Sequence, residues 1–391
     1  MPTDPAVTGP VRSGPVRSGP VRSGGVRSTG FVDLDDVESV RAADPGAMLD
    51  AVASAGEQVR QALVACEQSG IADVRDDGRP RAVVVTGMGG SGIAGHVLQA
   101  AAGPECPVPV ERVRGWTLPA WVGADDLVIA VSSSGKTAET MACTRTALDR
   151  GARTVVVAAE GSPLVDLAVE RGIPWVPVPP GRPPRANLWA LSVPLLVAAD
   201  ALGVVDAEPA RLQAVAELLD GLADQCAPTI PCAQNPAKQL ATELVGTLPM
   251  IWGSSDLAGI AAYRLLCQLA ENAKYPAVNG VLPEALHNQV VTFSAPTSSG
   301  LPIRLVLLRD TVEQWQVAIA ADEAELLAAE SGVPVSRLVA VGEHPLERMA
   351  SLCAIGDFAS VYLGLLGGVD PTPIPPIEVL KARLQERAAR S

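Results

Sequence analysis

Apolar residues fall along this chain in short continuous runs rather than in strict alternation. Ala82–Thr86, Val108–Val113, Leu127–Val131, Thr154–Ala158 and Trp175–Val178 are such runs, rich in valine. Runs of this length and composition predict strands buried on both faces, as in a parallel sheet. Between several of them apolar positions recur at helical spacing, as in Ile93–Ala102 and Ala138–Arg150. Strand followed by helix, repeated, predicts a parallel sheet covered on both sides. A helix over Ala47–Cys66 precedes the first strand. The proline-rich loop Pro177–Pro184 leads into a long apolar helix over Asn187–Leu202.

After residue 205 the pattern repeats loosely. Met250–Trp252, Ile303–Leu308 and Leu338–Val341 predict strands, Ala258–Leu269 a helix, and Ile377–Arg390 a closing helix. The expected fold class is therefore α/β, with one domain over 31–204 and a second over 205–391. Residues 1–30 differ: Gly-Pro-Val-Arg-Ser recurs three times and is followed by Gly-Gly-Val-Arg-Ser. Gly and Pro at this density predict a disordered low-complexity tail that takes no part in chemistry.

Composition narrows the function classes. The chain has 391 residues, 48% of them hydrophobic, enough for one large or two medium cores. A net charge of -13 argues against nucleic acid as a partner, because phosphate backbones require basic faces. The seven cysteines are scattered without a CxxC pair, which fits free thiols in a reducing cytoplasm. No His, Asp or Glu cluster has metal-ligand spacing, so neither a metal nor another cofactor is expected. No apolar run reads as long and clean enough to span a membrane, and no signal-peptide core is present, so a cytoplasmic protein is expected.

The chemistry concentrates in two loops, each between a strand and a helix. One is Gly87-Met88-Gly89-Gly90-Ser91-Gly92 and the other Ser132-Ser133-Ser134-Gly135-Lys136-Thr137. Parallel strands end on one sheet edge, so both loops can face one ligand. Backbone N–H groups of Gly90 and Ser91, with the hydroxyls of Ser91, Ser132, Ser134 and Thr137, suit a phosphate. Glu139 either orients the second loop or caps the helix after it. Two nucleotide readings compete. Gly87-x-Gly89-x-x-Gly92, with Glu111 downstream, satisfies the dinucleotide fingerprint. Ala130 through Gly135-Lys136-Thr137 matches the relaxed P-loop, with Asp310 as a loose magnesium candidate.

A third reading uses both loops. Ser132 to Thr140 resembles the phosphosugar loop of sugar isomerase (SIS) domains, with Lys136 where Asn is usual. Gln268-Leu269-Ala270-Glu271-Asn272-Ala273-Lys274, Leu282-Pro283-Glu284-Ala285-Leu286-His287-Asn288 and Gly368-Val369-Asp370-Pro371, followed by Leu380-Lys381, resemble the bifunctional phosphoglucose/phosphomannose isomerase family. The resemblance spans nearly everything after residue 30. It implies two SIS domains, no metal, and a homodimer in which His287 reaches the neighbouring subunit's site.

Aldose–ketose isomerisation requires a base between C1 and C2, an acid/base for ring opening and a cation for the developing oxyanion. The resemblance implies Glu271 as the base, His287 and Lys381 in ring opening, and Arg185 as the cation, with Arg182 its rival. On the residues alone, Glu271 reads as a helix-end acid paired with Lys274, and Lys381 as a surface lysine. The expected activity is metal-independent isomerisation of glucose 6-phosphate, mannose 6-phosphate or both to fructose 6-phosphate. A non-catalytic phosphosugar sensor is the alternative of another class. His96 reads as structural and His344, before Pro345, as a surface turn; Trp252, Trp189 and Met88 read as core.

Overall fold

Two parallel sheets carry the molecule. The first holds β1 (Val83–Thr86), β2 (Val110–Val113), β3 (Leu127–Ser132), β4 (Arg153–Ala158) and β5 (Trp175–Pro177), in the order β2-β1-β3-β4-β5. The second holds β6 (Leu248–Gly253), β7 (Val278–Val281), β8 (Ile303–Arg309) and β9 (Val335–Val339), in the order β7-β6-β8-β9. The second order thus repeats the first without its last strand. The computed structural model describes residues 32–294 and 300–388, and the expected tail, residues 1–30, lies outside them.

Thirteen helices complete the described chain. In the first half they are α1 (Val37–Ala43), α2 (Met48–Ala53), α3 (Ala55–Ser69), α4 (Gly90–Ala102), α5 (Ala138–Asp149), α6 (Pro163–Arg171) and α7 (Leu188–Ala201). In the second they are α8 (Pro209–Gln225), α9 (Pro236–Leu244), α10 (Asp256–Gln268), α11 (Trp315–Glu330), α12 (Pro345–Leu366) and α13 (Pro375–Ala388). β1, β3 and β4 are the inner strands of the first sheet, and the continuous valine-rich runs of β1 and β3 are buried along their whole length. Thr86 of β1 pairs with Ala130 of β3, so the chain leaves both strands side by side at one edge. One continuous core extends from Val83 and Ile129 through Leu191 and Leu265 to Ile251, Val306 and Tyr362.

Several elements depart from the sequence pattern. The helix expected over Ala47–Cys66 is broken at Ser54, which ends α2 and begins α3 while its hydroxyl donates to the Ala51 carbonyl. β7 has the sequence Val-Asn-Gly-Val, too short and polar to read as a strand, and it forms by pairing with β6 at the sheet edge. β9 begins at Val335, ahead of the expected Leu338–Val341. The largest departure is α12. It packs against α8, α9 and α10, so it is apolar all round and shows no amphipathic period. By length and hydropathy it passes as a membrane span, which corrects the expectation that no apolar run does; 89% of its apolar window is buried inside the fold.

His344 is likewise no surface turn. It caps α12: its Nδ1 accepts from the Leu346 N–H, and the Glu347 carboxylate accepts from the His344 N–H. Trp252 and Trp189 lie in the core as expected, whereas Met88 is partly exposed in the first loop.

Candidate active site

The two phosphate-type loops meet at the edge shared by β1 and β3. Gly89 bends the first with φ 56° and ψ -130°, backbone that a side chain would forbid. Gly90 and Ser91 then open α4, so their N–H groups have no partner within the helix. The Ser91 hydroxyl is buried and accepts the Ser133 N–H at 3.0 Å, tying one loop to the other. In the second loop the Ser132 and Thr137 hydroxyls lie 2.9 Å apart, and Ser134 Oγ accepts from the Lys136 N–H at 3.3 Å. Gly135 has φ 61°, and a side-chain carbon there would lie 1.8 Å from Ser162 Oγ. Ser134 and Lys136 are exposed at the tip, and Glu139 sits in the first turn of α5. Two helix N-termini and four hydroxyls thus lie on two adjoining loops.

The corresponding loop of the second sheet is closed to anions. Ser254 donates to the Glu313 carboxylate and Ser255 to Asp310 Oδ2 at 2.9 Å. Arg348 Nε in turn donates to Asp310 Oδ1 at 2.7 Å. Asp310 is therefore committed to the second sheet. Ala130 lies inside β3, fully buried, so the second loop lacks the first glycine of a P-loop.

A buried arginine sits against the first loop. The turn Pro184–Ala186 approaches so closely that a side-chain carbon at Gly90 would lie 2.9 Å from the Pro184 carbonyl. Arg185, on that turn, is only 4% exposed. Its Nε donates to Asn272 Oδ1 at 2.6 Å, and Nη2 donates to the Pro371 and Thr372 carbonyls at 2.7 and 2.8 Å. Its remaining nitrogen, Nη1, lies 3.8 Å from Glu271 Oε2. Burial lowers the Arg185 pKa and the carboxylates of Glu271 and Asp370 oppose that shift, but a guanidinium stays charged throughout.

Glu271 lies on a π-helical turn, Leu269–Ala273, that continues α10, and its side chain is 29% exposed. It is partly open to solvent while its neighbour Asn272 is fully buried. Lys274 does not pair with the Glu271 carboxylate. Its Nζ donates instead to the Glu271 carbonyl at 2.7 Å and to the Asp370 and Pro371 carbonyls at 3.1 Å each. Arg185 and Lys274 therefore hold the same C-terminal stretch from two sides.

Beneath this pair lies a second buried network. Arg264 donates to both Asp357 oxygens, at 2.7 and 2.6 Å, and to the Arg185 carbonyl at 3.0 Å. Burial pushes the Asp357 carboxyl up, and the Arg264 fork opposes that push. Asn272 Nδ2 donates to Ser360 Oγ at 2.9 Å. The sequence reading assigned no role to Asn272, Arg264 or Asp357. A lone carboxylate inside the apolar run of α12 was the available signal, because such a charge requires a buried partner.

His287 and Lys381 are elsewhere in the chain. His287 ends the turn Glu284–His287 beyond β7, and Lys381 lies on α13; both are exposed. Among the described residues neither side chain makes a hydrogen bond or ion pair. Arg182 is half-buried and has no hydrogen bond or ion pair among the described residues.

Known proteins place this arrangement. Residues 233–384 match the family described as the bacterial phospho-glucose isomerase C-terminal SIS domain. The bifunctional phosphoglucose/phosphomannose isomerase of Caldicellulosiruptor bescii is 34% identical over 78% of this chain and 89% of its own. That of Aquifex aeolicus is 30% identical over 81% of this chain and 94% of its own. The solved structure of a hypothetical protein from Thermus thermophilus has the same fold, with a TM-score of 0.70 at 19% identity, covering 90% of this chain and 94% of that one. Fold and sequence together define an α/β enzyme of the phosphosugar isomerase class. The chain belongs to the bifunctional phosphoglucose/phosphomannose isomerase family.

Proposed function

We propose that the protein interconverts glucose 6-phosphate, mannose 6-phosphate or both with fructose 6-phosphate, as a homodimer acting in the cytoplasm. The observation that carries the reading is the Arg185 guanidinium, buried against the first loop with one nitrogen 3.8 Å from Glu271. A fixed cation beside a carboxylate is what proton transfer at a carbon next to a carbonyl requires. We read the two sheets as the centres of two domains meeting near residues 204 and 205. On that reading the phosphate loops belong to one domain and Glu271 to the other.

Gly90, Ser91, Ser132, Ser134 and Thr137 hold the phosphate. His287 of a second subunit and Lys381 open the ring. Glu271 removes the C2 proton of the open-chain aldose, the electron pair forms the C1=C2 bond, and charge passes to O1. Arg185 meets that charge. The O2 proton moves to O1 and Glu271 returns its proton to C1, leaving the C2 carbonyl of fructose 6-phosphate. Glucose and mannose differ at C2, which is planar in the enediolate, so one base serves both when the enediolate turns about its C2–C3 bond.

The test is Glu271→Gln, assayed with each hexose phosphate in the presence of EDTA. Turnover falls about 10²–10⁴-fold while sugar phosphate binding persists. Undiminished turnover sinks the assignment of the base. Binding without turnover by the unaltered protein would mark it as a sensor.

A further inference from the structure

A second cationic site lies outside the loops. Between the edge strands β2 and β7 is a cleft of about 530 Å³, walled by α4 and α10. Its lining includes His96 and Gln99 of α4, Arg112 and Arg114 at β2, and Asp256 and Tyr263 of α10. The side chains form one stack. Arg114 Nη1 donates to the Tyr263 hydroxyl at 2.9 Å, with the guanidinium 5.5 Å above the Tyr263 ring. The His96 ring stacks on the same tyrosine at 5.1 Å, and Arg112 Nη1 donates to His96 at 2.7 Å from Nδ1.

What is missing is an anion. Among the described residues neither Arg112 nor Arg114 has a carboxylate within ion-pair distance, and the buried Nε of Arg112 has no acceptor. The buried arginines Arg264, Arg348 and Arg185 are matched to Asp357, Asp310 and Glu271, whereas Arg112 is half-buried and Arg114 exposed. Glu111 alternates to the other face of β2 and is exposed. Two guanidiniums without a carboxylate partner thus stand side by side at β2. Holding them together costs Coulomb repulsion that an anion would relieve.

We propose that this cleft binds a small phosphate ester bearing hydroxyl groups, at a site separate from the phosphate loops. The two guanidiniums take the phosphate, and Asp256 and Gln99 accept or donate to hydroxyls. The volume suits a ligand of sugar size. Ser91 faces the second loop, where its hydroxyl accepts from Ser133, whereas Gly92 and Gly95 face Arg114 and Arg112, so the two anions lie on different faces of α4. Arg114 links the sites, because its Cδ lies 3.4 Å from where a side-chain carbon of Gly92 would be. An occupant of the cleft therefore presses on the first loop from behind.

Equilibrium dialysis of the full chain against labelled inorganic phosphate tests this. The protein binds two phosphates. Arg112→Gln with Arg114→Gln removes one, and Ser132→Ala with Thr137→Val removes the other. Arg112→Gln alone weakens its site about tenfold or more, the loss expected of a charged hydrogen bond. A single phosphate on the unaltered chain that survives the arginine double substitution, or two on the arginine double variant, overturns the proposal. Tungstate-soaked crystals of the unaltered protein provide a check independent of variant folding. Anomalous density beside Arg112 Nε supports the site; a cleft filled by side chains of a second copy, or empty of tungstate, overturns it. Loss of the loop phosphate alone would instead count against the isomerase reading and leave the cleft standing.

Discussion

At the scale of single residues, environment decides what each charged group does. Arg185 is nearly enclosed and held by hydrogen bonds at Nε and Nη2, so its direction is fixed before substrate arrives, which is the condition for electrostatic stabilisation of a developing oxyanion. His96 illustrates the opposite case. Burial first, and then Arg112 and Arg114, push its pKa from 6.5 down to about 4. Tyr263 stacks on it from α10 and carries no charge to offset them. Between those two values the unfolded chain holds a proton that the folded chain refuses. Folding stability therefore falls as pH drops through that window, and His96 has no effect above it. His96→Gln should lose less stability than the unaltered protein between about pH 7 and pH 5. Urea denaturation at the two pH values measures this, and equal losses would contradict it.

At the scale of elements, the position of Glu271 depends on how closely α12 approaches the π-helical turn. A side-chain carbon at Gly364 would lie 2.9 Å from the Asn272 carbonyl and 3.3 Å from Ala273 Cα. Gly364→Ala should destabilise the fold by about 1–3 kcal/mol through overpacking. It should also reduce turnover more than phosphate binding, because the turn moves and the loops do not. Denaturation and steady-state kinetics give the two readouts. The same elements show what the sequence did and did not make legible. Ser132, Ser134 and Thr137 are close in sequence, so the loop was readable as a unit, and the strands before both loops carry their burial in their composition. Arg264 and Asp357 meet across 93 positions, and Arg185 and Asn272 across 87, distances that no local pattern encodes. α12 was missed because a helix surrounded by other helices has no polar face to mark its period. β7 was missed because an edge strand draws its regularity from its partner.

At the scale of the molecule, the exposed positions of His287 and Lys381 are the main constraint on assembly. If a neighbouring subunit supplies His287, two inactive variants should complement each other. Glu271→Gln and His287→Ala, unfolded together and refolded in equal amounts, should regain about one quarter of full activity, since half the dimers are mixed and each mixed dimer has one complete site. No recovery would place each histidine in its own chain's site. The strongly acidic surface adds a further expectation. A dianionic sugar phosphate approaches a chain of net charge -13 against repulsion. Raising ionic strength should therefore screen that repulsion and leave kcat/KM undiminished or increased at low salt concentrations, as stopped assays across a salt series would show.

The carboxylates that occupy the mouth of the second sheet have one more consequence. Two matching halves would ordinarily offer an incoming ester two equivalent berths, head to the left or head to the right. With the hydroxyls of Ser254 and Ser255 spent on Glu313 and Asp310, which Arg309 and Arg348 already neutralise, one berth lacks the donors that the other offers. On the proposed assignment the ester docks in one sense only, with the reacting end of the sugar towards Glu271.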